Sequence, residues 1–482
     1  MSPILTTLLP LFPPEQLLLP THPAYAHLTN DYASSLESDF HPACIFRPRN
    51  KFDVARFIRA VKPFTDRNEI MFAVRGHGRQ STPGCANISN GVMVDLREVV
   101  GIKVRRAAGG GGGGGVVRIG AGERWGDVYN VLAAKGLAVT GSLSEDCGIS
   151  ILSSREGFVC DNVLNFQVVL ASGEIVNANA NENPDLWMAL RGGGNNFGIV
   201  TRYDMRTFRQ GPIFGGSVSY HHCDLDEQLD LLVKALRNGH ATIDTHIRMT
   251  MTYQKKWGGY LCTNQVYYTQ AVPGPLVLRQ FTTMKCEVTS RRTMSMMTMW
   301  EAARMRNSDV EEGQTRCAYM NTTVKSDFET LRTAWRVFRG ALRGEEEDTE
   351  GLLYSLTFLP YPRSMLEKSQ KLGGNSLGLH PTSGPLVSVV LATHWRNVED
   401  DEMVLGLMKE VLGRIEDEAA RRGTGERFKL MNYSFDFQDP VASYGLQSQL
   451  RLLEVSRKYD PSGMFQRAVP GGFKLRGSWG RW

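Results

Sequence analysis

The chain has 482 residues, of which 42% are hydrophobic, 22% charged and 9% aromatic; this is the balance of a globular protein and excludes a disordered tail, a collagen-like repeat and a membrane channel. Its 55 basic and 50 acidic side chains leave a formal charge of +5 spread without a basic block, so nucleic acid is not an expected partner. At roughly 150 residues per domain the length accommodates about three units, or two with one of them discontinuous.

The opening MSPILTTLLPLFPPEQLLLP is apolar but lacks a basic flank and is interrupted by Pro10, Pro13 and Pro14, so no signal peptide is expected and the cytoplasm is favoured over secretion. No run approaches the ~18 apolar residues of a spanning helix, and no membrane partner is expected. Residues 42–61 predict a short strand followed by an amphipathic helix with Val54, Phe57, Ile58 and Val61 on one face. MFAVRGHGRQSTPGCANI then reads as a strand entering a glycine-rich loop, GVMVDL and VVRIGAG as strands, and FQVVLASGEIVNAN as two strands joined at Ser172-Gly173. Beyond Gly211 the segments lengthen. Helices are expected at DEQLDLLVKAL, DFETLRTAWRVFRGAL and DEMVLGLMKEVLGRIEDEAARR, and strands at IRMTMTY, NQVYYTQAV, LLYSLTFLPYP and PLVSVVLATHW, the pattern of helices laid on an antiparallel sheet. The charged run from Arg343 to Gly351 reads as an exposed loop.

Eight cysteines show no CxxC and no zinc spacing, so buried thiols are expected and no metal. The methionines at 294, 296, 297, 299 and 305 have no interleaved cysteine or histidine and read as adaptable apolar packing.

Glycine is the outlier, with 49 residues, about a tenth of the chain against a usual ~7%. The seven-glycine run at Gly109–Gly115 satisfies a dinucleotide pattern, yet no helix follows it, and it reads as a flexible hairpin loop. The informative clusters are RGHGR (75–79), IGAGERWGDVY (119–129), GFVCDNV (157–163) and LRGGGNNFGIVT (190–201). Each places glycine at a strand end, where backbone N–H groups can approach an anion with no side chain in the way; an ordinary turn is the plain alternative.

With these motifs, and with GAGERWGDVYNVL, ISILSSREGFVCDNVLNFQVVLASGEIVNANANENPDLWMALRGGGNNFGIVTRYD, GGNSLGLHP and KYDPSGMFQRAVPGGFK, residues 40–475 resemble the fungal berberine-bridge-enzyme-like FAD-linked oxidoreductases. The resemblance implies an α+β, two-lobed fold: an FAD-binding lobe built from both ends of the chain and an inserted substrate domain whose antiparallel sheet is covered by helices. The implied boundaries are an N-terminal extension at 1–37, an FAD domain at 38–210, a substrate domain at 211–425 and a returning segment at 426–482. It also implies that Arg75, Gly76, His77 and Gly78 lie against FAD, that Asp161, Asn162 and Val163 line the cofactor cleft with Gly141, that Gly198, Ile199 and Val200 meet the adenine end, and that Asn432 and Tyr433 point back at the isoalloxazine.

Two departures qualify this resemblance. Where relatives carry Arg-Gly-Gly-Gly-His, with the histidine joined to the flavin, this chain has Arg-Gly-His-Gly-Arg. Arg79 cannot form that bond, so the expectation is non-covalent FAD, with Arg79 pairing with a phosphate or the flavin edge; His77 stands two residues from the usual place. Secondly, GSLSEDCG runs directly into ISILSSREGF, where relatives carry about ten further residues of a glycine-rich pyrophosphate loop. A second, cysteinyl link is absent too: its position falls at Ser144, and Cys147 aligns with an aliphatic position. A dropped coding segment, sufficiency of the remaining glycines, and a flavin-free role are three accounts of the short junction.

The implied reaction is two-electron oxidation of a small organic substrate by hydride transfer to flavin, with molecular oxygen as the acceptor. Tyr433 is the candidate base or substrate-orienting hydroxyl, a structural phenol being the alternative, and His246, Arg248, Tyr354 and His394 are further candidates on the substrate sheet. The rival reading is a non-redox protein on the same fold, either a pericyclase-like cyclase or an inactive binder.

Overall fold

The computed structural model describes residues 3–106, 114–142, 148–221, 225–238, 243–305, 316–342 and 349–475. Three sheets organise them. The first, with strands in the order Leu17–Leu18, Cys44–Phe46, Val92–Asp95 and Phe72–Arg75, is parallel across its last three strands. The helix Lys51–Thr65 packs on it. Asn50 caps that helix, its side-chain oxygen accepting from Phe52 N at 2.8 Å and Asp53 N at 3.1 Å, and the predicted apolar face of Val54, Phe57, Ile58 and Val61 is fully buried. An aromatic file from Phe46 through Phe57 and Phe72 reaches Phe465 of the short helix Met464–Arg467, so the C-terminal segment closes the core of an N-terminal sheet.

The second sheet is antiparallel, ordered Ile102–Arg106, Gly115–Gly120, Ile199–Arg209, Val163–Val169 and Ile175–Asn179, with Leu137–Val139 paired to the far end of Ile199–Arg209. The expected hairpin at Ser172-Gly173 forms, with Leu170 N donating to Glu174 O at 2.9 Å and Gly173 in the left-handed region at φ 77°. Arg106 pairs with Gly115, which makes the flanks of the polyglycine run a hairpin; residues 109–113 of that run, residues 343–348 of the charged loop, Ser144 and Cys147 lie outside the described residues.

The third sheet has eight strands, ordered Ser295–Met297, Ile213–His221, Gly259–Tyr268, Thr245–Gln254, Leu353–Tyr361, Leu386–Trp395, Arg316–Lys325 and Gly425–Glu426. Period-two alternation divides its faces: Met249, Met251, Leu356, Phe358, Val387 and Val389 enter one core with residues of the helices Leu225–Arg237, Phe328–Arg339 and Asp401–Arg421, while Thr250, Thr252, Ser355 and Thr357 point the other way and pair hydroxyl to hydroxyl across strands. Met297 and Met299 are buried in an apolar cluster, whereas Met296 is exposed. Ile102–Arg106, Ile213–His221 and Arg316–Lys325 were not anticipated as strands. The first reads as a basic stretch and the second is broken by Gly215 and Gly216, where a Cβ on Gly215 would sit 2.6 Å from Val266 O, so close cross-strand packing overrides weak local propensity. No helix among the described residues is long and apolar enough to cross a membrane, and no group of three His, Cys, Asp or Glu among them could hold a metal ion.

Candidate functional site

A cavity of about 570 Å³ opens where the first two sheets meet the returning C-terminal segment, within the size range of cofactor sites. Its wall is assembled from strand ends and turns: Val74 within and Gly76 after the strand Phe72–Arg75, Gly120, Ala121, Glu123 and Trp125 at and beyond the end of Gly115–Gly120, Gly192, Gly194, Asn195 and Gly198 before and Ile199 and Val200 within Ile199–Arg209, and Leu430, Met431 and Asn432 from the return. Apolar side chains, among them Ile119, Val128, Phe158, Phe166, Ile199 and Leu377, supply most of the surface.

Glycine sets the shape of this wall. Gly120 and Gly122 lie on the segment beneath them, a Cβ on either coming within 2.4 Å of the carbonyl of Val99 or Leu96, and this close approach turns the chain into the helix Trp125–Ala133 with its positive N-terminal end on the cavity. Gly193 is equally constrained, its Cβ position 2.5 Å from Ala189 O, and the side-chain amide of Asn196 ties Gly193 O at 2.8 Å to Phe473 O at 2.9 Å. Gly76 is the opposite case, because a Cβ there would meet nothing within 4 Å.

The predicted residues separate into two groups. Gly76, Val163, Gly198, Ile199, Val200 and Asn432 line the cavity. The side chains of Arg75, His77, Asp161, Asn162 and Tyr433 make contacts away from the wall. Arg75 is fully buried with its guanidinium 3.9 Å over the Tyr32 ring, donating to the carbonyls of Leu28 and Asp31, and Gly78, at φ 64°, is packed on the same ring. Half-buried His77 places Nε2 3.0 Å from Gly122 O, and burial lowers its ionisation below the ordinary histidine value, so the imidazole is neutral at pH 7. Arg79 is exposed. Gly141 lies flat against Trp125, its Cβ position 2.4 Å from that ring.

Asp161 accepts from Phe158 N at 2.8 Å and from the Asn375 amide at 2.7 Å, with burial raising its carboxyl above the usual range. Asn162 donates to Glu156 O at 2.8 Å and Phe158 O at 3.0 Å and accepts from Arg206 at 2.7 Å. The polar side chains of 157–163 thus brace the turn, and its apolar ones, Phe158, Val159 and Val163, face the cavity with Cys160. Tyr433 is 4% exposed and stands behind Asn432, its ring 5.7 Å from Tyr319, rather than on the cavity wall; Tyr319 lies 6.5 Å from His394, which burial lowers to about 4.

The most consequential residue missed from sequence is Arg191. Fully buried and stacked 4.3 Å over Trp187, it donates to the carbonyls of Cys160, Asp161, Leu372 and Gly374 and so joins the 160–161 wall to the glycine turn it precedes. Trp125, Tyr203 and Tyr444 also line the cavity unannounced; period-two alternation along Ile199–Arg209 was the available signal for Tyr203.

The walls suit FAD. A flat ring system needs apolar faces, and a diphosphate needs N–H donors reached without intervening side chains; six glycines, at 76, 120, 148, 192, 194 and 198, lie among the described wall residues. Glu123 is the one charged side chain on that described wall, and its carboxylate is turned to Gly101 N, so a bound diphosphate would be met there by backbone donors and a helix end.

A model of the FAD binding domain matches residues 42–179. Among curated relatives, an FAD-dependent monooxygenase of Cochliobolus heterostrophus is 32% identical over 461 residues, covering 90% of this chain and 85% of its own, and one of Fusarium proliferatum is 32% identical over 467 residues, covering 92% and 87%. Among solved structures, 6-hydroxy-D-nicotine oxidase from Arthrobacter nicotinovorans superimposes with a TM-score of 0.74 at 18% identity, over 95% of this chain and 97% of its own. Xylooligosaccharide oxidase from Myceliophthora thermophila gives 0.70 at 16% identity, over 95% and 97%.

Proposed function

The chain belongs to the family of fungal FAD-dependent monooxygenases, and on that premise we propose that it oxidises a small organic molecule of secondary metabolism, with molecular oxygen taking up the electrons and FAD held without a covalent bond. It is an FAD-dependent oxidoreductase; the substrate, the acceptor and the mode of attachment are the proposal. The observation that carries it is the glycine-lined cavity with Gly76 open to its interior.

Bound FAD supplies a two-electron acceptor. The residues that would hold it are Gly76, Gly198, Ile199 and Val200, with Val163 and Asn432 on the same wall, and the six wall glycines support the account in which the shortened junction between Gly141 and Gly148 is compensated by the glycines that remain. The apolar walls exclude water from the reacting region, and Asn432 offers an amide that can orient a substrate or a ring edge. Tyr433 acts from behind that amide as a packing and orienting group. The solved neighbours are named for a hydroxynicotine and a xylooligosaccharide, which supports a substrate class of small molecules bearing hydroxyl or amine groups.

Non-covalent attachment is supported by side-chain chemistry, since arginine at 79 has no nucleophilic nitrogen to offer and His77 has Nε2 engaged with Gly122 O. His77→Ala is therefore expected to retain FAD at wild-type stoichiometry, with acid release unchanged; flavin bound irreversibly in the wild type and lost in the variant would make His77 the covalent ligand. The oxidase reading is tested by oxygen uptake on a panel of small alcohols, amines and phenols. Hydrogen peroxide formed in step with substrate loss supports it, and anaerobic bleaching of the flavin by a substrate without oxygen consumption in air would assign a different acceptor.

A further inference from the structure

The loop from Gly76 to Asn87 carries the most open glycine of the cavity, yet much of what holds it comes from a short segment upstream of the strand Cys44–Phe46. Glu37, on the one-turn helix Ser35–Ser38, is 0% exposed, and its two carboxylate oxygens accept from Ala86 N at 2.8 Å and Gly84 N at 3.1 Å. Its backbone carbonyl accepts from the Asn87 amide at 2.9 Å. Tyr32 donates to Ala86 O at 3.2 Å, and Ala33 N donates to Gly78 O at 2.9 Å. The same segment reaches the eight-stranded sheet, where the Ser34 hydroxyl bonds both Cys317 O and Cys317 N at 2.9 Å and Asp39 pairs with Arg316 at 2.6 Å. Other ties run from His77 Nε2 to Gly122 O at 3.0 Å and from Thr82 Oγ1 to Ser434 O at 2.9 Å, the latter beside Asn432 and Tyr433.

We propose that Glu37 is a positioning residue for the cofactor: its buried carboxylate grips the Gly76–Asn87 loop through two backbone N–H groups, and segment 31–39 couples that loop to the substrate sheet. The inference rests on the reading that this loop meets FAD. Burying a carboxylate is unfavourable, and burial pushes the Glu37 carboxyl up to about 7 against the pull of the Ala86 and Gly84 amides; Arg75 is the neighbouring cation, with Cys85 on the loop itself. A leucine of similar size would avoid that penalty but would leave both amides unpartnered, so the acid is explained by what it holds.

Two measurements test this on the full chain. FAD binding to the apoprotein, followed by fluorescence quenching, is expected to weaken about 10-fold in Glu37→Gln, which keeps one acceptor of two, and further in Glu37→Leu. Hydrogen exchange of the wild type with and without FAD is expected to show protection spreading from 76–87 into 31–39 and the first residues of Arg316–Lys325. Wild-type affinity in both variants, or protection confined to 76–87, overturns the proposal while leaving the FAD reading intact. Failure of the wild type itself to bind FAD overturns the FAD reading instead. If the variants do not fold, the wild-type exchange pattern alone decides.

Discussion

Gly76→Leu is expected to give a folded protein that has lost most of its affinity for FAD. The position separates folding from binding because its backbone is outside the positive-φ glycines and an added Cβ meets no atom within 4 Å, so a side chain there has room and no strained conformation to adopt. Surface-like substitutions of this kind change stability by no more than ~0.5 kcal/mol, and replacing glycine also narrows the unfolded ensemble. The room, however, belongs to the cavity that Gly76 lines. Forcing a ligand and a leucine into the same space costs ~1–3 kcal/mol, a loss of about 5- to 150-fold in affinity. Thermal unfolding of the apoprotein together with an FAD titration checks both halves. A variant that binds FAD like the wild type would show that Gly76 does not face the cofactor; one that unfolds would show that the space is filled by the fold.

Arg191→Met is expected to fail differently, by destabilising the protein itself. The side chain is wholly buried, and its removal takes the guanidinium from the carbonyls of Asp161, Leu372 and Gly374, which come from two distant parts of the chain, and leaves Cys160 O with Val163 N. A buried acceptor left unpaired costs ~1–3 kcal/mol, so even partial rearrangement leaves a deficit of ~3–5 kcal/mol, a large part of a typical ~5–15 kcal/mol of stability. Arg191→Lys is expected to recover only part of this, because an ammonium cannot reproduce the planar fork that reaches four carbonyls. Urea denaturation measures the loss. A methionine variant with wild-type stability would mean that the carbonyls find other partners and that Arg191 is not the brace between the 160–161 turn and the glycine turn.

These two residues also show where sequence reading stops. Gly76 and Gly198 stand in glycine clusters that were legible as local patterns, and local patterns survive folding, whereas Val163 was reached through the family resemblance. Four strands of the eight-stranded sheet, Thr245–Gln254, Gly259–Tyr268, Leu353–Tyr361 and Leu386–Trp395, and the helices on it were legible for the same reason, through apolar periodicities of two and of about 3.6. The side-chain partners of Arg75, Asp161 and Asn162 were not legible, because a motif specifies where the backbone passes and not which way a polar side chain turns. That choice was made by Tyr32, Phe158 and Asn375, partners between 3 and 214 residues away where the separation is set by hydrogen bonds. Arg191 was overlooked because one arginine before three glycines reads as a turn, and its acceptors at 372 and 374 lie about 180 residues downstream. Tyr433 sits one layer behind the wall because the turn Met431–Tyr433 presents Met431 and Asn432 to the cavity and buries the third residue.

The central claim is that a glycine-walled cavity with no covalent anchor holds FAD. Purifying the protein from its natural or a fungal host and precipitating it with acid tests this directly. The account predicts a yellow protein whose flavin appears in the supernatant as intact FAD, at close to one mole per mole of chain. A colourless preparation that does not take up added FAD, or a pellet that retains the flavin, would contradict it.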